Sequence, residues 1–116
     1  YYLKKEVAMK NPTDFAYHLA HYFNDFLGGC RNLSKNTISS YSDTFRLMVI
    51  FFNEQLSIPP EKLTLKIIDD LLICRYLEWL QTNRRCSNAT RNNRLAAIHS
   101  FFRYLQAQDP KQLLAC

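Results

Sequence analysis

Ser87-Asn88-Ala89-Thr90-Arg91-Asn92-Asn93-Arg94, continuing as Leu95-Ala96-Ala97-Ile98-His99-Ser100-Phe101-Phe102-Arg103-Tyr104-Leu105, reads as one capped helix with a basic, amide-rich start and apolar later turns. Ser87 is a good N-cap, because its hydroxyl can accept a bare first-turn N–H. Leu95, Ile98, Phe101, Phe102 and Leu105 then recur at helical spacing. On a helical wheel Arg91 and Arg94 share the stripe of Leu95 and Ile98. The stripe therefore changes from apolar to basic toward its start, as expected if the start projects beyond the core to meet a polyanion.

The charge is concentrated in the same place. No Asp or Glu occurs between Glu78 and Asp109. The five arginines in that gap (Arg84, Arg85, Arg91, Arg94 and Arg103) equal the formal net charge of the whole chain, +5. Elsewhere acid and base balance. Bare backbone N–H groups beside clustered Arg suit phosphate. Asn and Arg side chains can also read base edges in pairs of hydrogen bonds. The pattern points to nucleic acid, and a pI of 9.1 agrees with it.

Further helices lie upstream. Thr13 caps a first one carrying Phe15, Leu19, Tyr22, Phe23, Phe26 and Leu27, stopped by Gly28-Gly29. Ser34 caps a second, with Ile38, Tyr41, Phe45, Met48, Val49 and Phe52 on one stripe and Leu47, Ile50 and Phe51 on other sides. That helix should be central. Ser57-Ile58-Pro59-Pro60-Glu61 breaks the chain. Thr64 is placed to cap a third helix carrying Ile67, Ile68, Leu71, Leu72, Tyr76, Leu77 and Leu80. The reading is all-α, with helices near 13–27, 35–55, 65–82 and 88–106 and no sheet. Phe45, Phe52, Leu72, Leu95, Ile98 and Phe102 are expected core residues.

The second helix starts much as the last one does. Ser34-Lys35-Asn36-Thr37-Ile38-Ser39-Ser40-Tyr41 is small, polar and weakly basic. Capping alone accounts for such a start without any ligand. Two polar starts could also share one DNA groove.

Together the two segments resemble the core-binding domain of the tyrosine recombinases, the phage-integrase family. That domain opens its second helix with a pattern like s-x-n-T-i-x-x-Y, here Ser34 to Tyr41. Its last helix runs like T-i-n-r-x-L-s-a-l-r-s-F-f-r-y-L, here Thr90 to Leu105. An l-t-x-x-x-i-x-x-y-l-x-x-L helix between them is similar to Leu63-Thr64 through Tyr76-Leu77 and Leu80. Three positions depart from the pattern. Arg91 replaces an aliphatic residue, and Asn93 and His99 stand where Arg is frequent.

The resemblance implies a compact four-helix SAM-like bundle whose second and fourth helices cross in the major groove of double-stranded DNA. It implies a lead-in over 1–12, a core-binding domain over 13–110, and the start of a linker over 111–116. A following catalytic domain would close the clamp and carry the nucleophilic Tyr, so this chain is expected to hold no catalytic residue. The expected DNA-binding residues are Lys35, Asn36, Thr37, Ser40, Arg84, Arg85, Thr90, Arg91, Asn93 and Arg94. Other recombinase protomers are the implied protein partners. A helical protein-interaction module and a stand-alone helix-turn-helix regulator are the alternatives. For the latter, the connection from Thr82 to Cys86 is a little long.

The remaining features are weaker. The 116 residues suit one domain, and 47% hydrophobic content supports a core. The start Tyr-Tyr-Leu-Lys-Lys reads as a domain cut from a longer protein. No apolar run approaches the roughly 18–20 residues of a membrane span. Cys30, Cys74, Cys86 and Cys116 form no metal or redox motif, and free thiols in a reducing cytoplasm are expected, with Cys74 in the core. His18 and His21 share a helix face, with Asp25 only a loose third ligand, so no metal is expected. Asp69, Asp70 and Glu78 read as a solvated face. No Gly-rich phosphate loop or nucleophile motif is present, and no cofactor or small-molecule substrate is expected.

Overall fold

Four side-chain caps set where the helices begin. In the computed structural model, which describes residues 13–29 and 33–108, the Thr13 hydroxyl accepts from Ala16 N–H at 3.1 Å and opens α1 (Asp14–His21). Ser34 accepts from Thr37 N–H at 3.1 Å and opens α2 (Lys35–Leu56). Asp69 accepts from Leu72 N–H at 2.9 Å and opens α3 (Asp70–Asn83). Ser87 accepts from Thr90 N–H at 3.1 Å and opens α4 (Asn88–Gln108). Each oxygen satisfies a donor that the helix itself leaves bare. There is no strand among the described residues. The fold is the expected all-α one.

The third helix starts later than the sequence suggests. Asp69, not Thr64, is its cap. Residues 64–68 form a turn in which Ile67 and Ile68 N–H groups bond the Thr64 and Leu65 carbonyls. Leu63 and Ile68 bury their side chains there. Asp14 fastens this connection to α1, its carboxylate accepting from Leu65 N–H at 2.9 Å.

Two left-handed residues turn the chain. Ser57 (φ 56°) lets its own N–H and that of Ile58 meet the Phe52 carbonyl and ends α2. Arg85 (φ 51°) does the same after α3, where Arg84 and Cys86 N–H groups share the Leu80 carbonyl. The first helix ends differently. It widens into a π turn over Tyr22–Phe26 and closes with a 3-10 turn at Leu27–Gly29. The wider turn brings Leu27 under the core and leaves Phe26 43% exposed, against the expected stripe.

The centre is aromatic. Phe101 of α4 meets Phe15, Tyr22 and Phe45 edge-on, with ring centres 5.9, 5.3 and 5.3 Å away. A second group joins Phe51 of α2 to Tyr76 and Trp79 of α3 at 5.7 and 5.5 Å. Edge-on geometry sets the positive ring edge against a negative ring face. α2 packs against both α3 and α4, as its several apolar sides foretell. Phe45, Phe52 and Ile98 are core residues as expected. Leu72, Leu95 and Phe102 are only partly buried against it, and Ala97, Phe101 and Leu105 take the inner positions of α4. Leu71 is exposed, and Cys74 is an exposed free thiol rather than a core residue. Cys30 and Cys116, like the 1–12 lead-in and 111–116 linker, lie outside the described residues.

Candidate nucleic-acid interface

The starts of α2 and α4 are built alike. In each a serine caps the helix, and its hydroxyl also meets the threonine three residues on, Ser34 to Thr37 at 3.0 Å and Ser87 to Thr90 at 3.1 Å. Neither first turn contains an acid. The positive end of each helix dipole is therefore not neutralised by its own first turn.

The two helices meet within their second turns. Asn93 Nδ2 donates to Ser40 Oγ at 2.6 Å. Arg94 Nη1 donates to the Ser40 carbonyl at 2.8 Å and to Thr44 Oγ1 at 3.3 Å. From this crossing each helix start lies only about 8 Å along its axis. Lys35, Asn36 and Thr37 precede this contact on α2, and Thr90 and Arg91 precede it on α4.

The α3–α4 connection adds two cations. The Arg84 guanidinium lies 5.1 Å from the Trp79 ring centre, a cation–π contact that steadies it. Arg85 follows in its left-handed turn, and both side chains are exposed. Gln81 Nε2 donates to Asn88 Oδ1 at 2.7 Å and holds the end of α3 to the start of α4.

Exposure divides the ten expected residues. Lys35, Asn36, Arg84, Arg85 and Asn93 are exposed. Thr37, Ser40, Thr90, Arg91 and Arg94 are partly buried. Arg91 and Arg94 do not project freely from the core. Both have their Nε shut from water without a hydrogen-bond partner among the described residues. Thr44 escaped the sequence reading altogether. It is wholly buried, donates to the Ser40 carbonyl at 3.1 Å, and offers its own carbonyl to the Tyr76 hydroxyl at 2.6 Å. A hydroxyl beside Phe45 and four residues before Met48, on the apolar side of α2, was the available signal.

The family described as phage integrase, N-terminal SAM-like domain, matches residues 20–109. The chain belongs to this family. A Sinorhizobium fredii protein named integrase/recombinase y4rC is 44% identical over 81 residues, covering 70% of this chain and 24% of the relative. A second from that organism, integrase/recombinase y4rD, is 40% identical over 92 residues, 79% of this chain and 33% of the relative. Tyrosine recombinase XerC of Pelobacter propionicus is 34% identical over 90 residues, 73% of this chain and 28% of the relative. The chain thus spans a quarter to a third of the length of these relatives. No solved structure matches it significantly.

Beyond the crossing, this integrase domain has an aromatic groove of about 540 Å³ at the far end of α4. It is lined by Tyr17, His18, His21, Asp25, Phe26 and Tyr104 among others. His21 Nδ1 lies 2.6 Å from Asp25 Oδ2, an i,i+4 pair on the α1 extension. Burial, then Asp25 and Tyr17, raise the Tyr104 hydroxyl pKa above its ordinary value. Among the described residues no three His, Cys, Asp or Glu side chains cluster closely enough to hold a metal. Asp69, read as part of a solvated face, is a helix cap, while Asp70 and Glu78 are exposed. No helix of the described residues is long and apolar enough to cross a membrane.

Proposed function

We propose that this domain is the DNA-gripping, non-catalytic part of a tyrosine-type recombinase. It holds one arm of a recombination half-site by inserting the starts of α2 and α4 into the major groove. A separate domain of the same protein cleaves the strand, and other protomers complete the assembly on DNA in the cytoplasm. The observation that carries this reading is the Ser40 crossing. It ties together two helices whose serine-capped, acid-free starts each lie about 8 Å from the contact. A major groove about 12 Å wide admits a helix. Of the ten expected residues, Lys35, Asn36, Arg84, Arg85 and Asn93 are the exposed ones. Lys and Arg would meet phosphates, and the amides base edges or sugar oxygens. The resemblance of the chain to integrases and recombinases supports the same reading.

The test is a duplex-DNA titration of the chain over a range of salt concentrations. About three phosphate contacts, from Lys35, Arg84 and Arg85, give a slope of log K against log salt near −3. Affinity should be modest, since one domain makes only half of a clamp. A folded chain that bound no duplex at low salt would overturn the reading and favour a protein-interaction module.

A further inference from the structure

We propose that Arg94 is a positioning residue of this interface. It locks α4 onto α2 across Ser40 and Thr44, and the two helix starts fit DNA because of that lock rather than through an Arg94–DNA contact. The inference rests on the DNA-binding reading above and changes the part that Arg94 plays in it.

Arg94 Nη1 points inward, to the Ser40 carbonyl and the Thr44 hydroxyl. A guanidinium can only donate, so these two acceptors fix its direction. Its Nε is also shut from water. A side chain free to meet phosphate would keep that edge open to solvent.

The acceptors are themselves fixed. Thr44 is wholly buried, and its hydroxyl shares the Ser40 carbonyl with Arg94. The Thr44 carbonyl in turn receives the Tyr76 hydroxyl from α3. Asn93 holds the Ser40 hydroxyl from the outer side. One polar chain therefore runs from α4 through α2 to α3, directly behind the two helix starts. Such bonds are directional, and apolar contacts are not. The chain fixes how far α4 is rotated and slid against α2. That register decides whether Lys35 and Asn36 reach the same groove as Asn93.

Thr44 gives the decisive test, because a wholly buried residue cannot touch DNA. Thr44→Val keeps the shape and removes the hydroxyl. Measured well below the melting temperature, it should weaken duplex affinity by about threefold to tenfold, with the salt slope unchanged. In an Arg94→Gln background the same change should do little, since the lock is already gone. Arg94→Lys keeps the charge but loses the planar guanidinium that carries Nη1 to both acceptors, and should bind less well than the unaltered chain. If Arg94 instead meets a phosphate, Arg94→Lys should bind nearly normally, Thr44→Val should be silent, and Arg94→Gln should flatten the slope by roughly one unit. Those results would overturn the positioning role and leave the DNA reading standing. An unaltered chain that bound no duplex would instead overturn the DNA reading itself.

Discussion

The Tyr76 hydroxyl of α3 donates to the main-chain carbonyl of Thr44 on α2 at 2.6 Å, with both residues wholly buried. Burial raises the hydroxyl pKa above the ordinary 10.0, while the Arg94 and Arg46 charges pull the other way. The folded chain therefore keeps this proton where the unfolded chain loses it. The linked stability is complete below pH 10 and is lost as the pH rises beyond it. Tyr76→Phe keeps the ring contacts with Phe51 and Trp79 and removes one donor. It should cost about 0.5–1.5 kcal/mol at neutral pH. It should also make the alkaline loss shallower. Urea unfolding at neutral and alkaline pH checks both effects.

Phe101 and Phe102 are neighbours with different surroundings. Phe101 is wholly enclosed by Phe15, Tyr22 and Phe45. Phe102 is half-buried at the margin. Phe101→Ala should cost about 3–5 kcal/mol and Phe102→Ala clearly less. Denaturation midpoints that reversed this order would mean that α4 is rotated by one position.

What the sequence made legible was local. The Ser34 and Ser87 caps, the proline break and the acid-free starts all depend on residues within a few positions of one another. The choice between Phe101 and Phe102 does not. Both lie on a broad apolar stripe, and only the arrival of Phe15 and Phe45 decides between them. Leu71 and Cys74 fit a helical stripe by spacing yet face solvent, because no element among the described residues covers that side. Phe26 left the core when α1 widened into a π turn, which no α-helical wheel anticipates. The Arg94–Ser40 contact spans 54 positions, so a wheel shows a basic residue on the stripe but not the carbonyl that receives it.

The start of α3 separates two candidate caps. Asp69 accepts from Leu72 N–H at 2.9 Å, whereas the Thr64 contact with Ile67 is made by its backbone carbonyl. Asp69→Ala should cost about 1 kcal/mol, the usual loss for a missing cap. Thr64→Ala should stay within about 0.5 kcal/mol. Thermal unfolding of both variants distinguishes them, and equal losses would mean that the helix begins earlier.

Ser57 and Arg85 hold left-handed conformations that glycine would adopt without strain. Relief of the Cβ clash is worth roughly 1–2 kcal/mol. The added freedom of the unfolded chain returns about 0.4–1 of it. Each change to Gly should therefore stabilise the fold modestly. Their effects on DNA should differ. Ser57 lies at the far end of α2, roughly 33 Å along the axis from Lys35, and Ser57→Gly should leave duplex affinity as it is. Arg85 stands just before the Ser87 cap, exposed beside the start of α4. Arg85→Gly should raise the melting temperature, weaken duplex binding and flatten the salt slope by about one unit, as the loss of a single phosphate contact does. A strained arginine kept where glycine would be more stable is then explained by its charge. An Arg85→Gly chain that gained stability and kept both its affinity and its slope would place Arg85 outside the interface.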